Sequence, residues 1–385
     1  MRPTPEKLAV RYPAVSYLEK RARWRTPYFS WEYLASGTGR GDSVDNNVAA
    51  MRRVELTPQF LKGFISPSIE TELFGQSYSA PFGIAPIGLS GIIWPAADRH
   101  LAAVAARHRI AHTLSTVGTD KPEVVGPIAG DMAWFQLYPP RDPDVRADLV
   151  ERVGKSGYKV LVVTADIPAA SARERQKRVQ LNVPPKFTPT LIRRAIARPA
   201  WSIATVRNGL PRFRTIESYA VTQDIKQVAG IVAAQFGGTL SYDYISELRA
   251  MWKGPMVVKG LMDADDAERA LDAGADAVVV SNHGGRQLDA APASIDVLPT
   301  IVKRVGGRAP VLFDGGIRTG LDIARAVALG ADFVLCGRAF MFGLAAFGQP
   351  GADHVAGLLK AGLLETMHNV GCVSLSELRE RVGRH

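Results

Sequence analysis

Between residues 281 and 289 the chain reads SNHGGRQLD, with His283 and Arg286 three residues apart across Gly284 and Gly285. Imidazole is the side chain best suited to taking a proton near neutral pH, and guanidinium is the best clamp for a carboxylate. The pair implies an anionic substrate that loses a proton. A lone histidine is more often structural, but this one follows an apolar run and precedes a turn made sharp by glycine, which favours the catalytic reading. Two further segments, DGGIRTG (314–320) and CGRAF (336–340), join glycine-rich turns to Arg318 and Arg338, each opening a helical pattern. Such turns offer a phosphate backbone N–H groups, a helix N-terminus and bidentate guanidinium contacts. Either alone reads equally as a tight turn; the two together favour phosphate binding. Lys259, inside VVKG, ends another apolar run. Burying it is costly without an anion, which a phosphate, a substrate carboxylate or a reduced anionic cofactor would supply.

These residues need elements to place them. Eight short apolar runs recur: FGIA (82–85), HTLS (112–115), WFQLY (134–138), VLVVTAD (160–166), MVVKG (256–260), AVVVS (277–281), VLFD (311–314) and FVLC (333–336). They lack polar alternation, as parallel strands buried on both faces do, and helical patterns such as DADDAERALDAG (263–274) separate them. Strand then helix, eight times, predicts an α/β fold, a (β/α)8 TIM barrel; a doubly wound open sheet has the same local pattern. Barrel enzymes carry their chemistry at the C-terminal ends of the strands. The residues there are unusually polar: Pro86 and Gly88, Ser115, Gln136 and Tyr138, Thr164 and Asp166, Lys259, His283 and Arg286, then Asp314, Arg318, Gly337 and Arg338.

One interval breaks the rhythm. About ninety residues separate the fourth and fifth runs, and 173–214 holds eleven Lys+Arg against one acid, Glu174, so this window matches the +10 net charge of the whole chain. Phe187, Leu191, Ile192, Trp201, Ile203, Val206 and Phe213 are interleaved with the cations, the composition of a segment at an anionic membrane. A solvated lid over an anionic ligand is the plainer alternative, and nucleic acid is disfavoured because no nucleic-acid motif accompanies the charge. We take 173–240 as an inserted lid or membrane-contact segment after the fourth strand, within one barrel domain that spans 1–385 and begins with an N-terminal helical extension.

The remaining composition bounds the reading. With 46% hydrophobic and 22% charged residues the chain is neither disordered nor fibrous. Cys336 and Cys372 make no disulfide framework and no zinc spacing, and residues 1–8 have no apolar stretch behind them, so a cytoplasmic protein without an export signal is expected. The run 80–97 is long enough to span a membrane but carries Pro81, Pro86 and Pro95, and reads as a buried strand and a loop. His108 and His112 have helical spacing, but His112 opens a strand pattern, so no metal site is expected. GTGRG (37–41) follows no strand and is discounted as a dinucleotide fingerprint, and the acidic DADD (263–266) reads as a helix cap.

Taken together, SNHGGRQLD, LFDGGIRTG and CGRAF resemble the FMN-dependent 2-hydroxy acid oxidase and dehydrogenase family, from about Tyr28 to the C-terminal helix. The resemblance implies a barrel with FMN at its mouth. Arg338, Gly337, Gly316 and nearby backbone, including Asp314 and Gly315, would hold the phosphate, with Arg318 close by; Pro86, Ile87, Gly88, Ser115, Gln136, Thr164 and Lys259 would contact the flavin ring. Arg173 and Arg286 would bind the substrate carboxylate, and Tyr138 and Tyr33, the latter in EYLASG (32–37), would hydrogen-bond the substrate. His283 would be the base, oriented by Asp166, and Lys259 would stabilise charge on the reduced flavin. Val117 stands where glycolate oxidases have tryptophan, which implies a roomier pocket, for lactate or a bulkier aryl or alkyl hydroxy acid. Gly88 stands where oxidases of the family usually have alanine. Glycine there and a basic insertion favour a dehydrogenase that passes electrons to a quinone, peripheral at a membrane; the alternatives are a soluble oxidase producing hydrogen peroxide and a non-enzymatic scaffold. A homo-oligomer, often a tetramer, is also implied.

Overall fold

The computed structural model describes residues 4–169, 171–179, 188–219 and 240–383. Phe187 and the stretches 180–187 and 220–239 of the insertion lie outside the described residues. Eight parallel strands close into a barrel: β1 (Phe82–Ile84), β2 (Ala111–Ser115), β3 (Ala133–Leu137), β4 (Val160–Thr164), β5 (Met256–Leu261), β6 (Ala277–Val280), β7 (Val311–Asp314) and β8 (Phe333–Cys336), with β8 pairing back onto β1. Each coincides with one of the eight apolar runs. Closure removes both sheet edges and excludes the doubly wound alternative.

Helices alternate with the strands on the outside, and several begin at legible caps. Asp142 accepts hydrogen bonds from the Asp144 and Val145 amides, Asp263 of the DADD segment from Asp265 and Asp266, and Thr319 forms a capping box with Asp322. Four helices precede the barrel: Pro5–Arg11, Val15–Arg25, Tyr28–Ala35 and Asp42–Arg53. The run 80–97 is more structured than a strand and a loop. After β1 it carries a short helix, Ser90–Ile93, and the next helix starts at Ala97.

The strand pattern missed a hairpin. Thr71–Leu73 and Gln76–Tyr78 pair antiparallel across Phe74 and Gly75, both in the left-handed region at φ 55° and 73°. A two-residue turn of this kind matches the twist of the strands it joins, and three-residue arms are too short to show alternation. The Tyr78 hydroxyl accepts a hydrogen bond from Trp134 Nε1 at 3.0 Å, and Tyr78 packs edge-on against Phe333 at 5.2 Å. Since Trp134 and Phe333 stand near the starts of β3 and β8, the hairpin plugs the end of the barrel opposite the polar strand ends.

Candidate active site

At the C-terminal ends of the strands the backbone runs out of ladder partners and the side chains take over. Ser115 Oγ donates to Gln136 Oε1 at 2.7 Å, and Gln136 Nε2 donates to Thr164 Oγ1 at 2.9 Å. The parallel register sets Ser115 opposite Gln136 and Thr164 opposite Lys259. The buried Lys259 ammonium lies 2.7 Å from Asp314 Oδ2. Its partner is therefore a carboxylate of the chain itself and not the anion of a ligand. Burial disfavours the lysine charge, but Asp314 and Asp166 outweigh it and hold the pKa above the ordinary lysine value.

Ser281, just past β6, was not singled out from the sequence. Its hydroxyl donates to Asp314 Oδ1 and accepts from Lys259 Nζ at 2.9 Å and from the His283 amide at 3.1 Å. One donor and two acceptor positions are all a hydroxyl has, so Ser281 is saturated and ties the lysine pair to the histidine loop. A polar residue closing the run AVVVS was the available signal.

His283 sits in the left-handed region at φ 56°, followed by Gly284 at 63° and Gly285 at 75°. The glycines are required: a Cβ at 284 would fall 2.8 Å from Arg338 Nη1, and one at 285 would fall 2.7 Å from the Val44 amide. Asn282 locks this turn through a reciprocal amide pair with Asn47, 2.9 Å each way. Asp289 fixes the far end by accepting from the amides of Arg40, Gly41 and Ser43, which gives the GTGRG segment a structural task. The strained backbone turns the imidazole so that Nδ1 lies 2.8 Å from Asp166 Oδ1. Asp166 rests against Gly260, where a Cβ would meet its carboxyl carbon at 2.4 Å. Burial opposes ionisation of Asp166, yet His283 and Lys259 hold its pKa below the usual carboxylate value.

The guanidiniums form the other half of the site. Arg286 donates to Tyr33 O at 2.8 Å and lies over the Tyr33 ring, and Arg338 donates to Gly284 O and Leu34 O. Arg318 donates to Ile317 O. These are neutral carbonyl partners for half-buried cations. Burial and then the neighbouring Arg173 push Arg286 down to about 10, and burial also lowers Arg318 and Arg338, the latter strongly and with help from Arg286. A cluster of desolvated cations is a site that anions stabilise. Arg173, in the left-handed region at φ 45°, donates to Ser171 and Gln287. Tyr33 Oη donates to Gly88 O at 2.7 Å. The buried Tyr138 hydroxyl is held protonated by burial and by Asp166.

Of the residues singled out from the sequence, all but Asp166 and Ser115 line one cavity of about 410 Å³. Those two touch it through His283 and Gln136. Ile167, Gln176 and Phe213 also line it and were not foreseen as site residues. Phe213 and Gln176 come from the insertion, where no local pattern marks an inward-facing side chain.

The family model described as FMN-dependent dehydrogenase matches residues 22–384. The chain belongs to that family. This FMN-dependent dehydrogenase family member is 35% identical over 359 residues to an L-lactate dehydrogenase of Pectobacterium atrosepticum, covering 93% of each chain. It is 34% identical to an (S)-mandelate dehydrogenase of Pseudomonas putida, covering 92% of this chain and 89% of that one. A solved structure, that of the monotopic membrane protein (S)-mandelate dehydrogenase, superposes with a TM-score of 0.92 at 33% identity, covering 97% of this chain and 99% of the other.

Proposed function

We propose that the protein oxidises an L-2-hydroxy acid to the 2-oxo acid and passes the electrons to a quinone at a membrane surface. The observation that carries the reading is the His283–Asp166 contact of 2.8 Å in the same cavity as the Arg286 and Arg173 guanidiniums. FMN, when bound, supplies the two-electron acceptor. The donor set fits it: the desolvated Arg318 and Arg338 beside Gly315, Gly316 and Gly337 suit a phosphate, and Gln136, Thr164 and Lys259 present hydrogen-bonding groups along one rim, with Ser115 holding Gln136 from behind.

The chain's own residues do the rest. Asp166 accepts a hydrogen bond from the Nδ1–H of His283, which leaves Nε2 as the proton acceptor, and the carboxylate stabilises the imidazolium that forms. His283 takes the substrate's proton, a task common to removal of the α-hydrogen as a proton and as a hydride. Arg286 and Arg173 clamp the substrate carboxylate, which offsets the repulsion between two half-buried cations. Tyr138 and Tyr33 hydrogen-bond the substrate. Lys259, held by Asp314, keeps a positive charge where electron density arrives. Val117, Ile167 and Phe213 give the cavity an apolar wall, which suits a lactate methyl or an aryl substituent.

The insertion supports the membrane reading in part. Leu191, Trp201 and Phe213 are buried against the body of the protein and are not interfacial, because each finds an apolar neighbour there. Ile192, Ile203 and Val206 remain exposed between arginines. No helix among the described residues is long and apolar enough to cross a membrane. Self-association is supported by the loop that presents Phe60, Leu61 and Phe64 to solvent while Lys62 ties it to Gly371 O.

The deciding experiment is an anaerobic titration of the purified flavoprotein with the L- and D-forms of lactate and mandelate and with glycolate, with air and then a quinone analogue admitted. Bleaching by an L-form that persists in air and reverses with the quinone is the expected result. Rapid recolouring in air with peroxide would overturn the acceptor, and no bleaching by any of them would overturn the chemistry.

A further inference from the structure

The exposed apolar ridge of the insertion does not end at the insertion. Helices Pro189–Ile196 and Pro199–Asn208 lie against the N-terminal segment: Trp201 packs edge-on against Phe29 at 5.6 Å, and Arg198 Nε donates to Thr26 O at 3.3 Å. The same arginine lies over the Trp24 ring at 6.0 Å, and Arg194 lies over Tyr28 at 5.4 Å. The helix Val15–Arg25 buries Val15, Leu18 and Ala22 inward. Its outward face carries Tyr17, Lys20 and Trp24, spaced three and four residues apart, and Tyr28 continues the line past the helix end. Trp24 is 74% exposed, an unusual place for the largest apolar ring unless another phase covers it.

Charge says which phase. From 188 to 214 there are six arginines and no acid, and 15–28 adds Lys20, Arg21, Arg23 and Arg25 against Glu19 alone. Glu19 is only half-exposed. The outer face is thus apolar and aromatic with cations around it, the complement of an anionic bilayer, where indole and phenol rings seat at headgroup depth and arginine reaches phosphates beside them.

We infer that the N-terminal helix is the second half of one lipid-binding face, with Trp24 and Tyr28 seating in an anionic bilayer beside Ile192, Ile196, Ile203 and Val206. This rests on the membrane reading above. It adds that docking requires the helix before the barrel, so that two segments far apart in sequence set the orientation in which the barrel mouth meets the lipid. Neither Trp24 nor Tyr28 lines the cavity.

The test uses the holoenzyme and vesicles of phosphatidylcholine with and without phosphatidylglycerol, scored by co-sedimentation, with turnover on a soluble dye measured in parallel. Trp24→Ser is expected to bind the anionic vesicles about tenfold more weakly, the loss of one seated ring, with dye turnover and melting temperature unchanged. Ile203→Ser is expected to weaken binding comparably, and brominated lipid is expected to quench the wild type more than Trp24→Phe. If Ile203→Ser weakens binding while Trp24→Ser and its quenching match the wild type, the N-terminal helix is not part of the face and the inference fails alone. If the wild type binds neither vesicle, the membrane reading fails with it.

Discussion

The two ends of the barrel are built from the same eight strands and do opposite things. At the N-terminal end Trp134, Phe333 and Tyr78 stack under a hairpin, with one hydrogen bond satisfying the indole and the phenol. At the C-terminal end the same strands finish in Ser115, Gln136, Thr164, Lys259 and Asp314, joined by hydrogen bonds and a buried ion pair. Apolar packing tolerates gradual change, because each lost contact costs only its own area and cavity. A saturated polar network does not, because removing one member strands its partners. The comparison predicts that damage below lowers stability, and damage above alters chemistry or leaves a charge unpaired.

The largest effect should come from the mouth. His283→Asn retains a residue that tolerates the left-handed backbone but removes the proposed base, and kcat should fall by about 10² to 10⁴ with the fold retained and the melting temperature lowered modestly, since Asp166 loses a partner. A drop smaller than tenfold would remove His283 from the chemistry. Trp134→Ala at the other end should cost about 4 kcal/mol in urea unfolding while kcat per folded, flavin-loaded enzyme stays near wild type; a selective kinetic defect would break the division between the two ends. Asp314→Asn tests whether the mouth is also structural, since it leaves Lys259 buried beside a neutral amide. The expected loss is about 3 kcal/mol, recovered in large part by adding Lys259→Met, which removes the stranded charge.

A smaller effect concerns Gly88. A Cβ there would meet Val117 Cγ2 at 2.7 Å, so Gly88→Ala should disturb the wall of the cavity, and Val117→Ala should relieve it. The double-mutant cycle on kcat/KM should show a coupling of about 1 kcal/mol; additivity would mean that the two residues do not share the space. The smallest is a pH dependence. Asp166 has a depressed folded pKa, so its contribution to stability is present above the unfolded carboxylate pKa, about 4, and is lost as pH falls through the lower folded value. Lys259, raised in the fold, contributes below about 10 and loses that contribution as pH rises through its folded value. Urea midpoints should therefore be flat near neutrality and fall in both directions, and Asp166→Asn should remove part of the acid arm and, because Asp166 also raises Lys259, weaken the alkaline arm to a smaller degree.

Much of this was legible in the chain. Eight buried parallel strands leave continuous apolar runs because both faces are covered, and the residues at their ends are the ones that meet in the cavity. The three-residue hairpin was not legible, being too short for a pattern, and its left-handed Phe74 carries no local signature. The inward placement of Phe213 and Gln176 was equally hidden, because an insertion packs according to the surface it lands on. By composition the basic segment reads as interfacial or as a lid without distinguishing its members, and only the fold divides Trp201, which finds Phe29, from Val206, which is exposed.

By itself, the sequence determined eight buried parallel strands alternating with helices, the histidine and arginine turn and the supply of cations, since these depend on local pattern and residue chemistry; closure of the sheet into a barrel was left to the fold. Tertiary structure decided which charges meet. That Lys259 pairs with Asp314, that Ser281 bonds both of them, and that Trp24 lies beside Arg198 are contacts between residues 22 to 174 positions apart. Electrostatic and hydrogen-bond partners are chosen by distance in space, and no property of an isolated stretch of chain encodes that distance.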